Sequence, residues 1–157
     1  MVKLVNLTRV ITSILFILVL LFVYANLPDR VGLIYKSSGL TDFSLDKNQF
    51  FYISLVLSLF FNLITVVIVK FFQPLPVISE RFFFNSEWFK ENFLAWLSAL
   101  SPIMNLFFVF IVAFIGIYNN GDNELINSYG YLAYLGQFLI LCWLILLVFI
   151  VLKKDAK

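Results

Sequence analysis

The chain has 157 residues, of which 62% are hydrophobic and 13% charged, with a net charge of +2. A soluble domain is about 45–50% apolar and about 25% charged, and one this small has too much surface for its volume to hide the excess. With a mean hydropathy of +1.00, composition excludes a water-soluble globule, and the small net charge excludes a nucleic-acid footprint.

Residue types remove further chemistries. There is no histidine and one cysteine, Cys142. That excludes His-ligated haem, His-based zinc or copper sites, Ser–His and Cys–His catalysis, and an intrachain disulfide. No catalytic residue, metal or cofactor is expected.

Ionisable residues bracket four uncharged stretches, between Arg9 and Asp29, Lys47 and Lys70, Glu91 and Asp122, and Glu124 and Lys153. A helix needs roughly 20 apolar residues to cross about 30 Å of hydrocarbon. Each stretch is about that long or longer, and segments such as 14–23 and 139–152 lack the alternation of a barrel strand. The expectation is an all-α polytopic membrane protein. It comprises one domain, residues 1–157, with helices near 8–26, 49–72, 91–118 and 129–152 in an antiparallel bundle.

The first helix has a basic start in Lys3 and Arg9, and Val23-Tyr24-Ala25 is similar to a signal-peptide cleavage site. Its apolar stretch is long for a signal peptide, so the segment is read as an anchor.

The loop near 27–48 balances Asp29, Arg30, Lys36, Asp42, Asp46 and Lys47, with turn chemistry in Gly32, Ser37-Ser38 and Gly39. It reads as a solvated connector or, alternatively, a docking surface. The string Leu27-Pro28-Asp29-Arg30-Val31, followed by Gly39, Asp42 and Lys47, resembles the LPxRIPxHxxxxGxxDxxxxK signature of a family of small bacterial membrane proteins that includes SdpI-like toxin-immunity proteins. Ile34 stands where that family has histidine, and Gly32 where it has its second proline. The resemblance covers roughly residues 12–65. It implies an architecture, with Pro28, Gly39, Asp42 and Lys47 as loop-shaping positions.

On the second helix Ser54, Ser58, Asn62 and Thr65 recur at helical spacing. Gln73-Pro74-Leu75-Pro76 then stops it, because proline lacks the donor and restrains its neighbour. The segment that follows interleaves Phe82-Phe83-Phe84, Trp88, Phe89 and Phe93 with Glu80, Arg81, Glu87, Lys90 and Glu91. Asn85 or Ser86 can cap a helix with Glu87 in its first turn. This stretch is expected to lie along the headgroup layer, with Trp88, Phe89 and Trp96 as interfacial anchors, or to offer a face to a partner.

The third helix carries Ala95, Ser98, Ala99, Pro102 and Asn105 as a small-residue face, with a kink expected at Pro102. Such stripes let helices approach closely and hydrogen-bond across an interface. Ser58, Asn62, Ala95, Ser98, Ala99 and Asn105 are therefore the expected packing or partner residues, with a path lined by Asn62 and Asn105 as the alternative. Loss of Asn105 is expected to remove at most a modest hydrogen bond. Gly130, Ala133 and Gly136 are expected to pack the fourth helix.

Orientation follows from lysine and arginine. Cytoplasmic termini put Lys3, Arg9, Lys70, Arg81, Lys90, Lys153, Lys154 and Lys157 inside and only Arg30, Lys36 and Lys47 outside. No Asp, Glu, Lys, Arg or His lies between the charges that bracket the apolar stretches, whereas pumps, proton-coupled carriers and voltage sensors place such groups there. Small four-helix multidrug exporters need a glutamate in the first helix, and membrane thiol oxidases need paired cysteines; this chain has neither.

The leading expectation is a non-enzymatic bacterial inner-membrane protein, an accessory or stabilising subunit surrounded by lipid and other membrane subunits. An SdpI-like immunity or sensor protein is the runner-up. A small oligomeric transporter is the third reading.

Overall fold

The computed structural model describes residues 2–35, 41–77, 84–121 and 128–153. Four helical stretches are long and apolar enough to cross a membrane: Leu4–Asn26, Lys47–Phe72, Glu87–Asn119 and Leu132–Leu152, of 23, 26, 33 and 21 residues. The chain is mainly helical, as its unbroken apolar runs require.

Helix α1, Val2–Asn26, starts earlier than the apolar run alone predicts. Its polar lead-in is compatible with helix, and the Thr8 hydroxyl donates back to the Leu4 carbonyl at 2.6 Å. The segment expected as a connector carries two strands. Strands β1, Arg30–Tyr35, and β2, Thr41–Asp46, form an antiparallel hairpin pairing Arg30 with Asp46, Val31 with Leu45 and Gly32 with Ser44. The fold is therefore mainly helical, as expected, with the addition of a two-stranded hairpin that the sequence reading did not include.

A lone hairpin is marginal in water. This one rests on the helices, because Val31 is fully buried in a core with Phe16, Leu20, Val23, Leu27, Phe50, Val109 and Val112. The Lys47 N–H donates to the Asp29 carbonyl at 2.9 Å and closes the neck of the hairpin.

Helix α2, Lys47–Phe72, begins at Asp46, whose N–H donates to the Gln49 side-chain oxygen at 3.3 Å. It ends just before Pro74, as expected. Helix α3, Glu87–Ser98, has Ser86 as its N-cap, the hydroxyl accepting from the Phe89 N–H at 3.2 Å. Helix α4, Leu100–Asn119, follows after a break at Ala99. The expected kink thus falls a turn before Pro102. Proline has no N–H, so the Ser98 carbonyl loses its helical donor and α3 stops there. Helix α5, Leu132–Leu152, completes the chain.

α4 is the central element. It packs most extensively on α1 and α5 and also contacts α2, while α3 lies against α5 and α2.

Candidate functional site: a closed polar network and an apolar groove

Polar side chains from three helices meet around Asn105. Its Nδ2 donates to Ser13 Oγ at 2.9 Å, with Thr12 Oγ1 and Asn62 Oδ1 each at 3.5 Å. Its Oδ1 accepts from Ser58 Oγ at 3.0 Å and from Asn62 Nδ2 at 2.9 Å. Asn62 Nδ2 also donates to the Ser58 carbonyl at 2.8 Å, and Ser101 Oγ donates to Asn62 Oδ1. Asn105 is 0% exposed, and Thr12, Ser58 and Ser101 are buried.

Helical spacing explains why these residues meet. Ser58 and Asn62 are one turn apart on α2, as are Ser101 and Asn105 on α4. An amide has two donors and two acceptor sites, and both ends of Asn105 are occupied. That satisfaction matters here, because an unpaired polar group in an apolar interior costs about 1–3 kcal/mol. Asn105 therefore joins α1, α2 and α4, a larger role than one modest bond.

The other expected packing residues sit nearby. Ser98 turns its hydroxyl back to the Leu94 carbonyl at 2.7 Å. Ala95 and Ala99 are half-buried, and Ala99 is the joint between α3 and α4, its N–H shared by the Ala95 and Trp96 carbonyls at 3.0 and 3.1 Å.

The expected anchors on α3 are used differently. Trp96 stacks on Trp143 of α5 with ring centroids 4.1 Å apart and planes 7° from parallel. Each indole N–H donates to the other residue's carbonyl, Trp96 Nε1 at 2.7 Å and Trp143 Nε1 at 2.9 Å. Indole carries one donor that needs an acceptor away from water, and here the two side chains answer one another. Phe89 is buried and packs on Phe84 and Phe93, which also meet Phe72 at the end of α2. Phe89 and Trp96 thus bind helix to helix, and Trp88 is half-buried. The Lys90 ammonium ties α3 to the Leu75 carbonyl after α2, at 2.7 Å.

Two glycines mark close contacts. A Cβ on Gly136 would lie 2.7 Å from Phe107 Cδ2 and 3.2 Å from Phe107 Cα; one on Gly116 would lie 2.9 Å from Val23 Cγ1. The sequence pattern points to Gly136 and gives no signal for Gly116.

At the hairpin end, Asn119 holds β1 in place. Its Oδ1 accepts from the Gly32 N–H at 2.7 Å, and its Nδ2 donates to the Gly32 and Ile115 carbonyls at 3.0 and 2.8 Å. Lys47 lies over the Tyr24 ring at 4.8 Å, and the Tyr24 hydroxyl donates to Asn48 Oδ1 at 2.7 Å. Of the loop positions in the signature, Pro28 is exposed just before β1 and Lys47 opens α2. Asp42 enters as a residue of β2, and Gly39 lies outside the described residues.

Between α1 and α4, toward this end, runs an apolar groove of about 470 Å³ with Phe22, Val23, Ala113 and Gly116 among its lining residues and Asn26 and Asn120 at its polar edge. Phe22 stands exposed on its wall. Sequence reasoning missed Trp143, Asn119 and this groove, since no periodicity in one helix reports which face of another it meets. No protein-family model, curated protein or solved structure matches the chain.

Proposed function

We propose that this protein is a non-enzymatic integral membrane protein serving as an accessory, stabilising subunit of a larger membrane assembly. The observation carrying this reading is the closed Asn105 network together with a separate apolar groove farther along α1 and α4. The polar groups around Asn105 are spent on one another, which weighs against a polar substrate path through Asn62 and Asn105. The groove offers what a neighbouring transmembrane helix uses, namely small residues that admit its backbone and amides at the rim.

In this reading the four spans form an antiparallel bundle in a bacterial inner membrane, with both termini cytoplasmic, supported by the eight-to-three distribution of basic residues. Purification in mild detergent, with mass spectrometry of the retained proteins, tests the assignment. A stoichiometric membrane partner is expected, and Ala113→Trp should release it without lowering the melting temperature of the isolated protein. A chain that stays alone in native membranes sinks the proposal. For orientation, cysteines introduced at Ser38 and Asn120 should react with an impermeant reagent in intact cells and one at Ser79 should not; Ser38 and Ser79 lie outside the described residues.

A second reading, an SdpI-like immunity or sensor protein, is favoured by one observation. The segment carrying the resemblance is a hairpin fastened to α4 through Asn119, a shape suited to presenting a surface outside the membrane. Co-purification of a toxin peptide instead of a membrane subunit would select it.

A further inference from the structure

At the end of the helices opposite the hairpin, a second cleft of about 380 Å³ opens between α1, α2 and the last residue of α3. Its polar lining is Asn6 and Arg9 from α1, Thr65, Lys70 and Gln73 from α2, and Ser98 from α3. The lining includes two cations from different helices and no carboxylate. Among the described residues neither Arg9 nor Lys70 has an ion-pair partner.

Two like charges sharing a cleft repel each other, and an anion between them converts that repulsion into two attractions. Guanidinium offers a planar fork that matches phosphate oxygens, and ammonium a point charge. The amides of Asn6 and Gln73 supply neutral donors. Depth identifies the kind of anion. Arg9 and Lys70 are the charges that bound the uncharged stretches of α1 and α2, so both stand at headgroup level, and Val66 and Val69 continue the cleft wall as apolar surface. A soluble phosphate has no use for that wall, whereas an acyl chain does.

We propose that this cleft binds the phosphate of an anionic phospholipid, clamped by Arg9 and Lys70, with its chains along the Val66 and Val69 wall. Basic pockets between transmembrane helices recognise anionic headgroups in this way. The inference does not depend on the accessory-subunit reading.

The test uses the full chain in neutral detergent, titrated with dioleoylphosphatidylglycerol, dioleoylphosphatidylcholine or sodium phosphate. Thermal melting and lipid retention in native mass spectrometry are the readouts. Phosphatidylglycerol should raise the melting temperature and remain bound, and the other two should do neither. Arg9→Gln and Lys70→Gln should each weaken binding about fivefold or more, since one cation near the membrane surface contributes on that order. Arg9→Lys, which keeps the charge and loses the fork, should bind between wild type and Arg9→Gln. Lys153→Gln, at the end of α5, should change it less than twofold. Equal losses from Lys153→Gln would replace the cleft by diffuse surface charge. Equal stabilisation by phosphatidylcholine would leave the cations without a role, and equal stabilisation by sodium phosphate would give the cleft to a soluble anion. Any of the three overturns the proposal.

Discussion

The Asn105 network and the Trp96–Trp143 pair solve the same problem in opposite ways. Both give polar hydrogens a partner within an apolar layer. The network does so with short side chains from three helices, which converge on Asn105 and Asn62. The tryptophan pair does so with two large rings whose stacking fixes the distance between α3 and α5 while each N–H reaches the other's backbone. Removing Asn105 leaves several groups unsatisfied at once. Removing one indole leaves a single carbonyl short of a donor and a gap where a ring had been. Polar connectivity therefore concentrates risk on one residue, and aromatic stacking spreads it over area.

The comparison is broken most severely by steric change on the aromatic side. Gly136→Leu would drive a side chain into Phe107, including its backbone, and separate α5 from α4. Overpacking costs about 1–3 kcal/mol and occasionally more, and here the upper end is expected, partly offset by about 1 kcal/mol from the better helix propensity. The melting temperature in detergent measures it. A melting temperature equal to wild type would mean that α5 does not pack where the structure has it.

Asn105→Leu should come next, lowering stability by about 2 kcal/mol, because Ser13, Ser58 and Asn62 lose partners together. A loss below about 0.6 kcal/mol, the average for a single polar contact in a membrane protein, would show that the partners find each other without it. Trp143→Phe keeps an aromatic ring but removes the Nε1 donor and some stacking area, and about 1 kcal/mol is expected. The double variant with Asn105→Leu sharpens the contrast. The two sites share no bond, so their effects should add within about 0.5 kcal/mol.

Ser58→Ala should have the smallest effect, about 0.6 kcal/mol. Asn105 Oδ1 keeps its bond from Asn62 when the serine hydroxyl is gone. A loss as large as that of Asn105→Leu would mean the network has no redundancy.

Much of the molecule is legible in its sequence. The four apolar stretches mark the four membrane-length helices, since a helix satisfies its own backbone and the runs lack the alternation of a barrel strand. Pro74 ends α2 and Ser86 caps α3 because these are local properties of one or two residues. The hairpin was less legible. Its strands are short, and Val31 finds its burial only against helices distant in sequence, which no local alternation announces.

The candidate site divides in the same way. Helical spacing alone placed Ser58 with Asn62 and Ala95 with Ala99, because periodicity is a property of a single helix. It also marked Asn105 as a polar residue that must find partners. Which partners it finds was decided by the tertiary structure, where Ser13, remote from both stripes in the chain, arrives on α1. The same holds for Trp96, whose indole suits a membrane surface or a buried acceptor equally well until Trp143 is brought within stacking distance. Sequence determines that a polar or aromatic side chain in an apolar layer needs a partner, since the cost of leaving it without one is set by its own atoms. The identity of the partner depends on which helix faces meet, and that is fixed by the summed packing of all the helices.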